Sequence, residues 1–318
     1  MGQDVIRIRK AGLLTTIQDL GRKGFQEYGM VLAGAMDPFS LQVANLLVGN
    51  KRGEAALEIT LVGPEIEILE DTVMAICGAD LSPTLNGEKV SIWRSFKVYK
   101  GQTLCFGPPK NGTRAYLAVA GGIDVPVVLG SKSTYLKASI GGLNGHALRS
   151  GDILQQGIVK PSLKGIVGRG LVKQEIPKYR SSYCAKVILG PEQDAFTEEG
   201  LKTFFEKEYT VTPQSDRMGY RLSGPPIEHK NSADILSDAI VHGTIQVPND
   251  GKPIILLSDR QTVGGYTRIG IVISADLPYL AQLKPGNTIT FKKVSIEEAQ
   301  CLYMEQEKLL RGLEIATG

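Results

Sequence analysis

The sequence predicts a mainly β protein with a few helices, arranged as two β-rich units. Three observations carry that reading. First, 37 glycines among 318 residues punctuate short apolar runs instead of forming a repetitive tract. Second, the runs at 115–120, 187–189, 253–257 and 270–274 have strand length and are bounded by turn residues. Third, an order of features recurs. In the first half a turn at Asn111-Gly112 leads into an apolar run, then Gly121-Gly122, another run, and a turn at Ser150-Gly151-Asp152. In the second half Asp250-Gly251, an apolar run, Gly264-Gly265, another run and Pro285-Gly286-Asn287 follow in the same order. The expected division is 1–165 and 166–318, with the link in the charged stretch 160–180.

The helices are marked by their ends. Asp37-Pro38 is a cap followed by proline at the first helical position, with Phe39, Val43, Leu46 and Leu47 as the apolar face and Gly49 as the stop. A second helix is expected over 194–208 on Phe196, Leu201, Phe204 and Phe205, weakened by Gly200. A third begins at Ser295, where Glu298 completes a capping box, and continues through Ala299, Leu302, Leu309 and Leu310.

Composition narrows the function. With 42% hydrophobic and 22% charged residues the chain is ordinary globular material, and 36 Lys and Arg against 33 Asp and Glu leave a net charge of only +3. That balance argues against nucleic acid and anionic membranes as partners. Four scattered cysteines and three histidines, with no C-x-x-C, argue against a metal site and fit a reducing compartment. No run approaches the length of a membrane span, and the first residues carry no signal-peptide core, so a cytoplasmic location is expected.

Familiar catalytic motifs are missing. There is no G-x-S-x-G, no S-x-x-K and no G-x-x-x-x-G-K-[ST], and residues 264–270 are not a dinucleotide fingerprint. His242 reads as a structural or surface histidine, and Asp37 as a cap. What remains is Asp, Arg, Gln and Tyr among glycines. The tripeptide Ser-Asp-Arg occurs twice, at 215–217 and 258–260, and Thr15 to Arg22 carries Asp19 and Arg22. An Asp beside an Arg can orient the guanidinium for a bidentate grip on a carboxylate or phosphate, or can simply tie the fold. The second half also inserts the polar residues 259–263 between a strand and its glycine pair, where a scaffolded loop is well placed to bind.

Several blocks then match in one order: Gly12-Leu-Leu-Thr-Thr-Ile-Gln-Asp19-Leu-Gly-Arg22, Gly34-Ala-Met-Asp37, Ala44-Asn45-Leu-Leu-Val-Gly-Asn50, Ala56-Leu-Glu58-Ile-Thr60 and Ala120-Gly-Gly-Ile-Asp124-Val-Pro126. They continue with Ser215-Asp-Arg-Met-Gly-Tyr-Arg221 and Gly243-Thr-Ile-Gln246-Val-Pro248 through Leu257-Ser-Asp259-Arg-Gln261-Thr-Val-Gly-Gly-Tyr266. Over about residues 12–292 the chain resembles the KipA family, the C-type subunits of 5-oxoprolinase, related to the carboxyltransferase part of urea carboxylase. One departure is Lys132, where the family pattern has arginine.

The resemblance implies tandem cyclophilin-like β-barrel units. It implies partners of the KipI type and of the LamB/YcsF type, and ATP-dependent opening of 5-oxo-L-proline to L-glutamate, with ATP held by this chain or by a partner. It leaves two alternatives: a regulator that antagonises a KipI-type histidine-kinase inhibitor, or the carboxyltransferase subunit of a biotin-dependent enzyme. No Met-Lys-Met site is present, so no biotin is expected on this chain. Lactam opening requires a grip on the substrate carboxylate, donors for the carbonyl oxygen and a positioned water. The catalytic candidates are Asp259, Asp216, Gln261 and Tyr266. The substrate-binding candidates are Arg217, Arg221, Gln246, Asp19, Arg22 and Asn45. On this reading Asp259→Ala would cut activity and cost stability no more than about 1–2 kcal/mol.

Overall fold

The computed structural model describes residues 2–158 and 165–317. By contacts the chain falls into two compact units, one of Met1–Arg22, Ala33–Tyr179 and Lys308–Gly318, the other of Lys23–Leu32 and Arg180–Glu307. The change of unit comes at Tyr179/Arg180. Residues 159–164 of the expected link lie outside the described residues. Gly165 to Tyr179 pack on the first unit because this charged stretch carries Ile166 and Leu171, which are buried in its core.

The first unit is built from two sheets. Five antiparallel strands run in the order Leu14–Gln18, Ala56–Thr60, Asn111–Val119, Thr72–Asp80, Arg94–Val98. Seven shorter strands, with Gln3–Lys10 near their middle, make the second sheet. Alternation within the central strands explains the layering. In Thr72–Asp80, Met74 and Ile76 face a core shared with Ile6, Ile8, Ile66 and Leu104 of the second sheet. Val73, Ala75 and Cys77 face the other way, toward a second core. Both faces of this strand are buried, so its sequence reads as one apolar run.

That second core is roofed by helix α1, Pro38–Leu47. Asp37 caps it by accepting from the Ser40 N–H (2.9 Å), and Pro38 sits in the first turn, as the sequence predicts. Eight of its ten residues are buried, among them Phe39, Leu41, Val43, Leu46 and Leu47. Each such large side chain contributes about 1.5–3 kcal/mol by leaving water.

The second unit contains a closed seven-strand barrel. Its order is Ser182–Leu189, Arg268–Val272, Thr244–Gln246, Ile254–Leu256, Gly219–Ser223, Tyr209–Val211, Thr288–Lys293 and back to the first. Closure uses a parallel pairing, Ser182–Leu189 with Thr288–Lys293; the other neighbours in the barrel are antiparallel. Helix α2, Glu198–Glu206, is shorter than predicted. Thr197 caps it, and Phe196 lies before it, packed on His229. Its Phe204 stacks on barrel residue Phe291 at 4.4 Å between ring centroids. Gly200 is a packing requirement: a Cβ there would lie 3.0 Å from the Glu228 amide nitrogen and closer still to its carbonyl oxygen.

Helix α3 is a single turn, Leu277–Leu280, which sequence periodicity does not reveal. Helix α4, Ile296–Thr317, begins where predicted, with Ser295 Oγ accepting from the Glu298 N–H (3.2 Å). Its residues to Glu307 belong to the second unit and those from Lys308 to the first.

The chain is thus mainly β, with four α-helices among the described residues. The two units are not copies in detail. The first is two sheets, the second a closed barrel. Gly121 and Gly122 take positive φ in a turn, whereas Gly264 and Gly265 lie inside the strand Val263–Tyr266. No helix among the described residues is long and apolar enough to cross a membrane.

Candidate functional site

The two Ser-Asp-Arg tripeptides meet in the second unit, and they pair crosswise. Arg217 of the first donates from Nε to Asp259 Oδ2 (3.0 Å) and from Nη2 to Asp259 Oδ1 (2.9 Å). The Asp259 N–H also donates to the Arg217 carbonyl (2.9 Å). Both side chains are less than 10% exposed. The remaining members are left apart. Asp216 is exposed and forms a turn, its Oδ1 accepting from the N–H groups of Met218 (2.7 Å) and Gly219 (3.3 Å). Arg260 is buried, with Nε and Nη1 donating to the carbonyls of Ile240 and Leu257, each at 3.3 Å. In neither tripeptide does the Asp pair with the Arg beside it.

The inserted stretch 259–263 runs into the strand Val263–Tyr266, which pairs with Asp234–Ala239 as a hairpin outside the barrel. Gln246, buried on the barrel strand Thr244–Gln246, donates from Nε2 to the Tyr266 carbonyl (3.1 Å). Gly264 makes that contact possible, since a Cβ there would lie 2.6 Å from Gln246 Nε2. Gln261 is half-buried and Tyr266 is exposed. The structure therefore brings Asp259, Arg217, Gln246, Gln261 and Tyr266 onto the connected segments around this hairpin. Arg221 is exposed on the strand Gly219–Ser223, and its backbone N–H donates to Ser215 Oγ (3.1 Å).

Three residues around this hairpin were not foreseen. Arg268 holds it down: Nε donates to Glu192 Oε2 (2.7 Å), Nη2 to Glu192 Oε1 and, at 2.9 Å, to Asp238 Oδ2, and Nη1 to the Ala239 carbonyl (2.9 Å). These contacts raise the Arg268 pKa and lower that of Glu192. Arg260 has its pKa lowered to about 10 by burial. His242, in the turn before Thr244–Gln246, is half-buried, yet its Nε2 is sealed from solvent with no partner among the described residues. Burial, then the positive charges of Arg260 and Arg217, lower its pKa to about 3. The sequence signal for Arg260 was its place in the second tripeptide; His242 was read as a structural or surface histidine, and Arg268 carried no signal.

The other three candidates lie in the first unit. Asp19 is a loop anchor, accepting from Ser131 Oγ (2.6 Å), Ser133 Oγ (2.5 Å) and the N–H groups of Lys132 (2.6 Å) and Gly21 (2.8 Å). Arg22 is fully buried, and its Nη2 donates to the Ser133 carbonyl. Asn45 is fully buried in α1, donating to the Glu54 carbonyl (2.7 Å) and accepting from Asn50 Nδ2 (2.9 Å). The bonds of Asp19 and Asn45 occupy those two side chains in building the fold. Lys132 does likewise, with Nζ donating to the Ile123 carbonyl (3.0 Å).

The block around Asp37 is also a network. Glu58 Oε2 accepts from the Met36 N–H (2.9 Å) and the Tyr116 hydroxyl (2.7 Å), and that hydroxyl accepts from the Asp37 N–H (2.8 Å). Burial and the two carboxylates push the Tyr116 phenol well above its ordinary pKa, so it stays a donor. Among the described residues no group of three or more His, Cys, Asp or Glu is gathered to hold a metal ion.

Known proteins resemble the chain over nearly its whole length. The family model for the carboxyltransferase domain, subdomains A and B, matches residues 28–293. In Escherichia coli, the C-type subunit of 5-oxoprolinase is 40% identical over 309 residues, 97% of this chain and 97% of that protein. Urea amidolyase of Saccharomyces cerevisiae is 33% identical over 331 residues, covering 97% of this chain but 18% of that protein. Among solved structures, the K. lactis urea amidolyase superposes with a TM-score of 0.92 at 32% identity over 99% of this chain, which spans 20% of that one.

Proposed function

Because the chain belongs to the carboxyltransferase domain family (subdomains A and B), we propose that it is the C-type subunit of an ATP-dependent 5-oxoprolinase, opening 5-oxo-L-proline to L-glutamate together with KipI-type and LamB/YcsF-type subunits. The observation that carries this reading is sequence identity. The chain is 40% identical to the E. coli C-type subunit over 309 residues, against 33% to the yeast amidolyase over 331.

The reaction converts a lactam carbonyl, a poor electrophile, into one that water attacks. ATP phosphorylates the carbonyl oxygen and departs as ADP; one water adds to the carbon and the C–N bond breaks with protonation of nitrogen, leaving an acyl phosphate, which a second water hydrolyses to the carboxylate and free phosphate. Gly264 and Gly265 do not form a glycine-rich phosphate cradle, because they lie in an extended strand paired with Asp234–Ala239. This supports placing ATP on a partner subunit.

This chain's part is binding and orientation. Both Asp259 oxygens are engaged by Arg217, so the pair acts as a strut for the loop, not as base and free cation. Gln246 fixes the backbone at Tyr266. Gln261, half-buried, and Tyr266, exposed, carry donors on these segments and suit the developing charge on the lactam oxygen.

Reconstitution tests the reading. Glutamate should form from 5-oxoproline and ATP only when this chain is combined with partners of both the KipI type and the LamB/YcsF type. ATP-dependent turnover by the isolated chain, or none by the full set, would refute it. A second reading is favoured by the superposition on urea amidolyase: the chain would serve as a carboxyltransferase subunit with biotin on another chain. Carboxylation of urea or a related amide by a reconstituted complex, without glutamate formation, would establish that alternative. A stable complex with the KipI-type partner that turns over neither substrate would point to the regulatory role instead.

A further inference from the structure

Among the described residues of the second unit, one buried cation has no counter-ion. Arg217 is matched by Asp259, and Arg268 by Glu192 and Asp238. Arg260 is 7% exposed, and its side chain is held by the two long bonds to the carbonyls of Ile240 and Leu257. No carboxylate among the described residues offsets its charge; burial alone sets its acidity. The bond to Ile240 holds the guanidinium against the turn that carries His242, whose Nε2 is buried and unpartnered.

An arginine withdrawn from water with no acid beside it is unfavourable, and so is a ring nitrogen sealed off with no hydrogen bond. Both defects occur at one place, and one ligand relieves both. We infer that Arg260 and His242 form an oxyanion site, in which the guanidinium pairs with a carboxylate or phosphate group of a small molecule and the neutral imidazole donates a hydrogen bond from Nε2. Burial first, then the positive charges of Arg260 and Arg217, keep the imidazole neutral. A neutral ring with a proton on Nε2 donates to an oxyanion without adding charge of its own.

This inference rests on the reading of the hairpin segments as the functional site, and it places the anion grip on Arg260, since Arg217 is engaged by Asp259 and Arg221 is exposed. Two anions of the proposed reaction share the required chemistry, the carboxylate of 5-oxoproline and inorganic phosphate.

The chain's three histidines, His146, His229 and His242, make a ring-labelled NMR titration simple to read. The full-length chain is titrated at constant ionic strength with L-5-oxoproline, with its uncharged carboxamide, and with inorganic phosphate. The His242 ring signals should move saturably with at least one anion while those of His146 and His229 stay. Saturation by 5-oxoproline but not by the carboxamide assigns a carboxylate site; saturation by phosphate alone assigns a phosphate site. Bound anion should also raise the His242 pKa. Arg260→Gln should weaken the response at least tenfold. Arg260→Lys keeps the charge without the planar fork and should give an intermediate affinity, which serves if the first variant does not fold.

The inference is overturned if no anion moves His242, or if the response survives undiminished in either variant. It does not depend on turnover. Failure of the reconstituted 5-oxoprolinase with a normal anion response would remove the functional reading and leave the site standing.

Discussion

At the scale of single residues, the crosswise pairing of the two tripeptides changes what substitutions should do. From the sequence, Asp259→Ala reads as a surface-loop change of about 1–2 kcal/mol. The structure shows a buried, two-bonded ion pair. Removing Asp259 strands the Arg217 charge, so the expected loss is about 3–5 kcal/mol. Urea denaturation checks this, and Arg217→Met in the Asp259→Ala background should restore part of the loss. If the single variant proves as stable as the parent, the pair is not the strut described. His242 gives a pH dependence. Its pKa is lowered to about 3 in the folded chain against about 6.5 when unfolded. The unfolded state therefore binds the extra proton first, and stability present above pH 6.5 is lost as pH falls toward 3. The slope approaches 1.4 kcal/mol per pH unit within that window, roughly. Comparing wild type with His242→Gln isolates it from the carboxylates; parallel stability–pH curves for the two would contradict the assignment. The sequence disclosed which residue types gather here, because Ser-Asp-Arg is visible twice. It did not disclose which Asp meets which Arg, since that depends on the facing of two distant loops.

Among the elements, legibility followed local chemistry. Helix α1 was readable because Asp37, Pro38 and Gly49 act through their own backbone neighbours, and α4 because Ser295 caps it. Helix α2 was overextended because Phe196 is apolar for its contact with His229, not for a helical face. The stretch leading into Val263–Tyr266 was read as a loop and its partner strand Asp234–Ala239 was not foreseen, and for a reason. Its residues are mostly exposed, so no apolar alternation announces it, and it is fastened by Arg268 instead of a core. Arg268→Ala should accordingly free the hairpin. Amide exchange over 234–239 and 263–266 should accelerate at least tenfold, while the barrel strands Ser182–Leu189 and Thr288–Lys293 keep their protection. Uniform acceleration across the barrel would instead make Arg268 a determinant of the whole unit.

Across the whole molecule, the β-rich character and division into two units were visible in glycine spacing, and the ordered blocks carried the family. The difference between the units was not visible. Closure into a barrel depends on one long-range parallel pairing, between residues more than a hundred positions apart, and no local signal encodes that. The C-terminal end of α4 has a role that its polar composition hides. Leu310 is buried in the core beneath α1, with Leu309 and Leu313 packed against it, and Arg169 donates to the Thr317 carbonyl (2.8 Å) at the helix end. Ending the chain at residue 307 should therefore destabilise the first unit by about 2–5 kcal/mol, the range for emptying a large core position. Thermal unfolding followed by the near-ultraviolet signal of Trp93, the single tryptophan and a member of that core, would report it. An unaltered transition would mean that the end of α4 merely rests there.

The same feature sets a timetable for biosynthesis. A ribosome releases the strands of the first unit early, yet Leu310 belongs to their core and emerges after the entire barrel has been made. Until then the face formed by Phe39, Leu46 and Trp93 lacks one of its apolar neighbours. The barrel segments, Arg180–Glu307, are contiguous but for 23–32 and can pair as they appear. The nascent first unit must wait with that surface unfinished until the last turns of α4 are made.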